Sequence, residues 1–372
     1  MKSYSRTYSF LNFFIPALVS VGAIILLQTM QLIVLIPLSA LVFNLSEFKD
    51  PLFVPIWNLL VLFLSQIMGT AIVLLLLIPW IRVKAIKHSP IYRSSFFSTT
   101  LVICSTWAFM SLIARIFLAS IELFRFETPK TGLSILVLSE EIISPVTITI
   151  LFAPLVLGAA LYEELVYRRV LIPLLEVRGM NSFTAVIASS LFFTISHAPA
   201  DLINGNITGT VIHLSSVLIM AFVLGFTYVK TRNIIYPMII HGVINGITAV
   251  PTILPDGTLL ADAYDFIYLV IFVLIGLMYT SYHLIGYLNN ISVISSQIID
   301  MISSINNIGF AGYLVISLGL LTLHTLSIIY FNGLAMVVLN PVLLITILFI
   351  IRTSNHLPEE FMVKGLNAAS KE

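Results

Sequence analysis

The segment GAALYEELVYRRVLIPLLEVRGMN, residues 158–181, decides both the fold class and the chemistry expected of this chain. It places two adjacent acids, Glu163 and Glu164, inside an otherwise apolar helix. A carboxylate within a membrane costs roughly 2.5–3.5 kcal/mol on insertion scales, so such a residue usually has a partner or a function. Glu164 and Arg168 lie four residues apart on one helix face and are predicted to pair. Glu163 points about 100° away and is predicted to lack a partner.

The composition around this segment predicts an all-α membrane protein. Of the 372 residues, 59% are hydrophobic and 9% are charged, and the mean hydropathy is +1.07. Soluble domains carry about 25% charged residues, and a membrane helix needs about 20 apolar residues. We therefore predict a polytopic helical bundle of about 8–10 transmembrane helices. The net charge of +1 gives no reason to expect a nucleic-acid partner, and the single Cys104 excludes an intrachain disulfide.

The apolar stretches divide the chain into N-terminal transmembrane helices (1–141), a core segment (142–250), and C-terminal transmembrane helices with a cytoplasmic tail (251–372). The first stretch is longer than a signal-peptide core and lacks a cleavage motif, so we expect it to be retained. Ten spans are predicted, of which the last two are separated by very little: 13–43, 52–81, 96–121, 142–169, 182–197, 207–229, 235–250, 263–288, 309–331 and 333–351.

The distribution of basic residues predicts the orientation of these spans. With the N-terminus in the cytoplasm, most of the 18 Lys and Arg residues fall in cytoplasmic segments. Cytoplasmic loops carry such an excess in membrane proteins. We therefore expect a multi-pass protein of the cell membrane with both termini in the cytoplasm.

Two further polar patches lie in apolar surroundings. The first is FFTISHAP, in which Phe193 and His197 are four residues apart on one helix face. The second is YPMIIHGVIN, in which His241 and Asn245 are also four apart. Counting residues from the turns of an antiparallel hairpin places Glu163 and His197 at similar depth.

A proline after the second patch predicts where its helix ends. Because Pro199 follows His197, we expect the helix to stop at His197, which makes it too short to cross the membrane. The stretch 198–206 would then be irregular at membrane depth, which is tolerated where backbone lines a wet cavity. We therefore expect a polar cavity at the two Glu and two His residues.

These side-chain types are those that amide hydrolysis requires. A glutamate in apolar surroundings can act as a general base near neutral pH, which contributes typically 10²–10⁴-fold in rate. His197 can position the attacking water or donate a proton. His241 and Asn245 offer N–H donors from one face for an oxyanion, and one such donor is typically worth about 10²–10³ in rate.

The three patches resemble the motifs of a known family. EELVYR (Glu163 to Arg168) is similar to the EExxxR motif of the CPBP family, the CAAX proteases and bacteriocin-processing enzymes. FTISH resembles its FxxxH motif and HGVIN its HxxxN motif, in the same order and at about the same spacing. One EExxxR is a weak signal, but all three in membrane helices are specific. The resemblance covers about residues 157–250, and it implies that the core segment 142–250 forms a conical catalytic core of four helices.

The resemblance implies a glutamate-dependent intramembrane endopeptidase that uses no metal and no cofactor. Glu163 would be the general base, supported by Glu164, while His197 would assist the water and His241 and Asn245 would hold the oxyanion. Family substrates are membrane-associated, either prenylated CAAX proteins or membrane-tethered peptides such as bacteriocin precursors. Nothing in the sequence selects among them or sets the oligomeric state.

Structural roles remain open for each of these residues. The acids could form an ion pair with Arg168, which we interpret mainly as structural support together with Phe193, and the histidines could make interhelical hydrogen bonds. A metal on the Glu and His set is chemically possible. The alternative function is a non-catalytic scaffold, a bacteriocin self-immunity factor or a transporter that uses the same cavity. We interpret Glu140 and Glu141 as an interfacial pair, and His213, His283 and His324 as lone packed or hydrogen-bonded histidines.

Overall fold

A computed structural model describes residues 2–43, 53–81, 93–121, 153–178, 180–203, 207–250, 259–288 and 308–354. Nearly all of these residues are helical, and the part described contains no strand, which confirms the predicted all-α class. The α-helices are α1 (Lys2–Phe43), α2 (Phe53–Ile72), α3 (Ile78–Ile81), α4 (Arg93–Ile121), α5 (Ala159–Glu164), α6 (Ile172–Val177), α7 (Ser182–Ile203), α8 (Ile207–Thr231), α9 (Ile235–Ala249), α10 (Leu259–Ile267), α11 (Leu274–Leu288) and α12 (Ile308–Ser354). Four π-helical segments adjoin them: π1 (Val73–Leu77), π2 (Ala153–Gly158), π3 (Leu165–Leu171) and π4 (Tyr268–Val273).

The described helices are long and apolar enough to make this an integral membrane protein. Six stretches can each cross a membrane, and three shorter apolar helices accompany them. This confirms a polytopic helical bundle. Parts of the predicted pattern lie outside the described residues, namely the beginning of the fourth span (142–152), the polar stretch 289–307 and the tail after 354. The six stretches are Phe13–Pro37, Leu60–Trp80, Phe96–Ile116, Gly209–Thr231, Ala261–Ile285 and Gly309–Ser327.

The last two predicted spans lie in the single element α12, whose two halves cannot be coaxial. A straight helix of its 47 residues would extend about 70 Å. His324 Nε2 and Asn340 Nδ2 both bind the Oε1 of Gln28, at 2.8 and 3.1 Å. On a straight helix these two residues would be about 24 Å apart. The chain therefore changes direction sharply between them, and both halves pack on α1, as two adjacent spans would.

The helix that carries His197 does not end there, so this prediction was wrong. α7 continues through Pro199 to Ile203 and has 22 residues, or about 33 Å, of which Ser182–Ala198 forms one of the three shorter apolar helices. A proline removes only the one hydrogen bond that its missing N–H would make, and membrane helices tolerate that loss. The predicted irregular stretch is therefore helical over 198–203, and the remaining residues, 204–206, lie outside the described part.

The helix with the paired acids, residues 153–177, is here called the site helix. It alternates π2, α5, π3 and α6, so the wide π3 turn begins directly after Glu164. Pro173 follows π3 in the first turn of α6. Having no N–H, proline would break an α-helical ladder at this point, and it is tolerated in a first helical turn. Single π-helical turns occur frequently at functional sites.

Neighbouring helices hold the site helix on several sides. The Tyr162 hydroxyl donates to the Ala23 carbonyl of α1, and the Ser189 hydroxyl of α7 donates to the Tyr167 carbonyl at 3.0 Å. Gly242 of α9 packs on the backbone of Val156 in π2. A small cavity, lined entirely by apolar residues, lies between α1, π1, α12 and the Val166 side of the site helix, away from the acids. The acids therefore face α9 rather than this apolar side.

Candidate active site

The buried centre of the site is an ion pair within the site helix. Arg168 Nε lies 3.2 Å from Glu164 Oε2, and the two side chains are 1% and 0% exposed. This confirms the predicted pairing of Glu164 with Arg168. Buried charges are tolerated when they are paired and hydrogen-bonded, so Arg168 compensates the cost of burying this carboxylate.

His241 of α9 connects the two acids. Its Nδ1 lies 2.8 Å from Glu164 Oε1, and its Nε2 lies 3.8 Å from Glu163 Oε2. His241 is 2% exposed, whereas Glu163 is 19% exposed. The prediction that Glu163 lacks a partner was therefore wrong, because His241 approaches it from a segment 78 residues further along the sequence. Contacts between distant segments of this kind are decided by helix packing and not by helical periodicity.

The contact with Glu164 determines which nitrogen of His241 carries a proton. A carboxylate that forms an ion pair with Arg168 accepts hydrogen bonds, so Nδ1–H is the donor in this contact. Nε2 is then an acceptor if the ring is neutral, and a donor only if the ring is an imidazolium. A role for His241 in holding an oxyanion therefore requires the doubly protonated ring.

Phe193 and His197 of α7 pack beside this group. The Phe193 ring lies edge-on to His197 at 4.7 Å and to His241 at 6.3 Å between ring centroids. The guanidinium carbon of Arg168 lies 4.7 Å from the centre of the same ring. Phe193 is fully buried, so it separates the Arg168 charge from His197 and fixes both rings.

His197 is oriented by the backbone of its own helix. Its Nδ1 lies 2.8 Å from the Phe193 carbonyl oxygen, which can only accept, so Nδ1–H donates. In the neutral ring, Nε2 is then the nitrogen that can accept a hydrogen bond from water. The His197 side chain is partly exposed.

Asn245 lies one turn beyond His241 on α9 and is half-buried. Its backbone carbonyl accepts a 3.0 Å hydrogen bond from the Thr248 hydroxyl. The structure thus brings Glu163, Glu164, His241 and Phe193 into direct neighbourhood, with His197 attached through Phe193 and Asn245 following along α9.

One histidine, interpreted from the sequence as a lone packed or hydrogen-bonded residue, lies near the site. His213 of α8 is exposed, and its ring centroid lies 6.3 Å from that of His197. His197 and His213 lie about equally far from the chain reversal between α7 and α8. Counting from that reversal could have placed them at the same height, as the counting for Glu163 and His197 did.

The other histidines have the structural surroundings expected of them. His324 donates to Gln28, and His283 packs on the Tyr279 ring at 4.3 Å between centroids. Glu140 and Glu141 lie outside the described residues. Among the residues that the structure describes, no group of three or more His, Cys, Asp or Glu side chains could hold a metal ion.

Comparison with known proteins agrees with the motifs. Residues 145–247 match the family model described as "Type II CAAX prenyl endopeptidase Rce1-like". The match includes every residue of the three motifs and lies within the predicted core segment 142–250. Searches of curated proteins and of solved structures found no match.

The matched region is a peptidase family domain, and it coincides with the helices that bring the two acids and His241 together. The resemblance inferred from EELVYR, FTISH and HGVIN is therefore confirmed over residues 145–247, which match the Rce1-like family of type II CAAX prenyl endopeptidases.

Proposed function

We propose that this protein is an intramembrane endopeptidase that hydrolyses a peptide bond of a membrane-associated substrate, with Glu163 as the general base. The observation that carries the proposal is the position of His241, which is 2.8 Å from Glu164 and 3.8 Å from Glu163. Glu164 is neutralised by Arg168 and fully buried, whereas Glu163 remains partly accessible. Of the two acids, only Glu163 is therefore available to a water molecule and a substrate.

A donor at Nε2 of His241 requires a ring that carries both protons, since Nδ1–H already donates to Glu164. Nε2 lies 3.8 Å from Glu163 Oε2. In this state Nε2–H of His241 is a charged donor close to Glu163, which suits the stabilisation of an oxyanion.

The proposed reaction uses these groups in sequence. Glu163 removes a proton from a water molecule, and the resulting hydroxide attacks the scissile carbonyl carbon. His241 Nε2–H and the Asn245 amide hold the oxygen that becomes negative, while His197 Nε2 accepts a hydrogen bond from the water. The C–N bond then breaks as the proton passes from Glu163 to the leaving amine. No step requires a metal or a cofactor.

The family suggests the first substrate to test. We propose a prenylated peptide that ends in a CAAX sequence, from which the last three residues are released. A fluorogenic farnesylated CAAX peptide, mixed with the purified protein in liposomes, measures this cleavage directly. A peptide of the same sequence with an acyl chain in place of the farnesyl group tests whether a general membrane anchor is sufficient.

Two variants test the roles of the site residues. Glu163→Ala and His197→Ala should each lower kcat by at least about 10²-fold, because a general base or its partner contributes that much. Both proteins should keep the thermal unfolding temperature of the parent, since these side chains are the more exposed members of the site. Cleavage by either variant at the parental rate would exclude the proposed mechanism. Absence of turnover by the parent on both peptides would favour the non-catalytic alternative.

A further inference from the structure

A second polar cluster lies about three helical turns from the acids along the site helix, where three chain segments meet. Glu176 ends the site helix, Ser182 begins α7, and Arg232 lies in the turn between α8 and α9. Arg232 Nη1 is 2.7 Å from Glu176 Oε2, and Arg232 Nη2 is 2.8 Å from Glu176 Oε1. The two side chains are 22% and 17% exposed. Such a two-point guanidinium–carboxylate contact fixes orientation as well as distance.

Ser182 closes the cluster. Its hydroxyl donates to Glu176 Oε1 at 2.5 Å and accepts from Arg232 Nη2 at 3.1 Å. Three side chains from three segments are thus joined in one ring of hydrogen bonds, here called the turn clamp (Glu176, Ser182 and Arg232). None of these residues belongs to the three motifs.

The backbone of Arg232 indicates that the contact matters at this position. Its φ is +50°, and among the described residues it is the one non-glycine residue with positive φ. This left-handed conformation disfavours a side chain, and glycine adopts it most readily. The backbone of Arg232 is therefore strained, and the hydrogen bonds of its side chain to Glu176 and Ser182 offset this cost.

The turn clamp joins the elements that must place His241 on Glu164. His241 lies nine residues after Arg232, and about 9 Å along α9 from the first residue of that helix, Ile235. Glu164 lies 12 residues before Glu176 on the site helix. A change in the axial offset of these two helices at the clamp is therefore transmitted to the 2.8 Å contact between His241 Nδ1 and Glu164 Oε1.

We propose that Arg232, Glu176 and Ser182 are positioning residues that set the place of His241 relative to Glu164. The proposal rests on the proposed peptidase function for its effect on catalysis, but its geometric part is independent of that function. Misplacement of a catalytic group by about 1 Å can cost about 10²-fold in rate. Loss of the clamp should therefore lower kcat by about 10- to 100-fold, with KM within about twofold of the parent.

The geometric part is measured with spin labels. Leu161 of the site helix and Val243 of α9 are 39% and 37% exposed, so labelled cysteines at these positions point away from the core. Cys104 is replaced by Ala in this background. Pulsed electron paramagnetic resonance should give one narrow distance distribution for the parent, and a broadened or shifted one for Arg232→Lys and Glu176→Gln. Arg232→Lys keeps the charge but cannot make the two-point contact.

The catalytic part uses the farnesylated CAAX peptide and the unlabelled variants. Lys230→Gln is the matched control, because Lys230 is an exposed cation at the end of α8, two residues from Arg232. This control should keep both the distance distribution and kcat. Glu176→Arg combined with Arg232→Glu should restore the narrow distribution and most of kcat.

The possible outcomes distinguish a failure of the turn-clamp proposal from a failure of the proposed peptidase function. Unchanged distances in Arg232→Lys and Glu176→Gln would overturn the proposal, as would broadened distances with unchanged kcat. Broadened distances together with a loss of kcat support it. If the parent cleaves neither peptide, the proposed function fails, while the distance measurement still decides whether the clamp positions α9 on the site helix.

Discussion

Two neighbouring glutamates have different environments in this protein, although the sequence presents them as a pair. Glu164 is fully buried between Arg168 and His241, whereas Glu163 is 19% exposed and lies 3.8 Å from His241 Nε2. The first side chain is thus fixed between two buried partners, and the second is partly accessible. The same division applies to the two histidines, because His241 is buried and His197 is partly exposed.

This difference in burial predicts that Glu164→Gln lowers stability, whereas Glu163→Gln lowers activity. Glu164→Gln leaves the buried Arg168 guanidinium without a counter-charge, and removing one partner of a buried pair typically costs about 3–5 kcal/mol. We expect its thermal unfolding temperature in detergent to fall well below that of the parent. Glu163→Gln should unfold at the parental temperature and lose cleavage of the farnesylated peptide.

A double variant tests whether the instability of Glu164→Gln comes from the unpaired charge of Arg168 or from altered packing. Glu164→Gln combined with Arg168→Met removes both charges and should recover part of the stability that Glu164→Gln loses, because no uncompensated charge remains. If the single variant is as stable as the parent, Glu164 is not the buried anchor described above.

The close approach of α9 to π2 is the contact between elements that places His241 beside the acids. Gly242, the residue after His241, lies so near that an added Cβ would be 2.9 Å from the Val156 carbonyl oxygen. The neighbour is backbone, which cannot rotate away as a side chain can. The absence of a side chain at this position is therefore what lets His241 reach Glu164.

We predict that Gly242→Ala pushes α9 away from the site helix and lowers kcat by about 10-fold or more. The control is Gly246→Ala, one turn later on the same helix, where the added Cβ would make an ordinary 3.8 Å contact with Val156. Gly246→Ala should keep most of the activity. Equal rates for the two variants in the peptide assay would contradict this account of the α9 contact.

The whole molecule extends beyond the family domain, and its C-terminal element is attached by a buried polar group. Gln28 of α1 accepts hydrogen bonds from His324 and Asn340, which are 5% and 1% exposed. Both halves of α12 therefore bind the same amide oxygen. This group contains none of the candidate site residues, and it joins α12 to α1.

Replacement of Gln28 by Leu should destabilise the bundle without changing the chemistry. Two buried donors would lose their acceptor, and interhelical hydrogen bonds in membranes are worth about 0.6–2 kcal/mol each. We expect a lower unfolding temperature and a kcat of the folded protein within twofold of the parent. A large loss of kcat at full stability would instead connect α12 to catalysis.

Orientation of the bundle is predicted by the basic residues and can be tested directly. Reporter domains fused before Met1 and after Glu372 should both be active in the cytoplasm, since an even number of spans returns the chain to its starting side. Activity of one fusion on the opposite side of the membrane would exclude ten spans.

Several features of this protein could be predicted from the sequence because they depend on local chemistry. Apolar length predicted the membrane helices, because every backbone group within lipid must be satisfied inside a helix. The i, i+4 spacing predicted the pairing of Glu164 with Arg168, because both residues lie on one helix. The order of EELVYR, FTISH and HGVIN indicated the family. These features depend on short segments, and short segments are governed by helical periodicity and desolvation.

Packing between helices decided what periodicity could not. The contact of His241 with both acids, the ring of His213 near His197, and the turn clamp each join segments far apart in sequence. The continuation of α7 past Pro199 was also missed, because a surrounding bundle can compensate a lost hydrogen bond that an isolated helix cannot. The sequence by itself thus determined which groups the membrane must accommodate. Only the tertiary structure decided which acid is buried and which is accessible, because desolvation depends on the neighbours that surround each carboxylate.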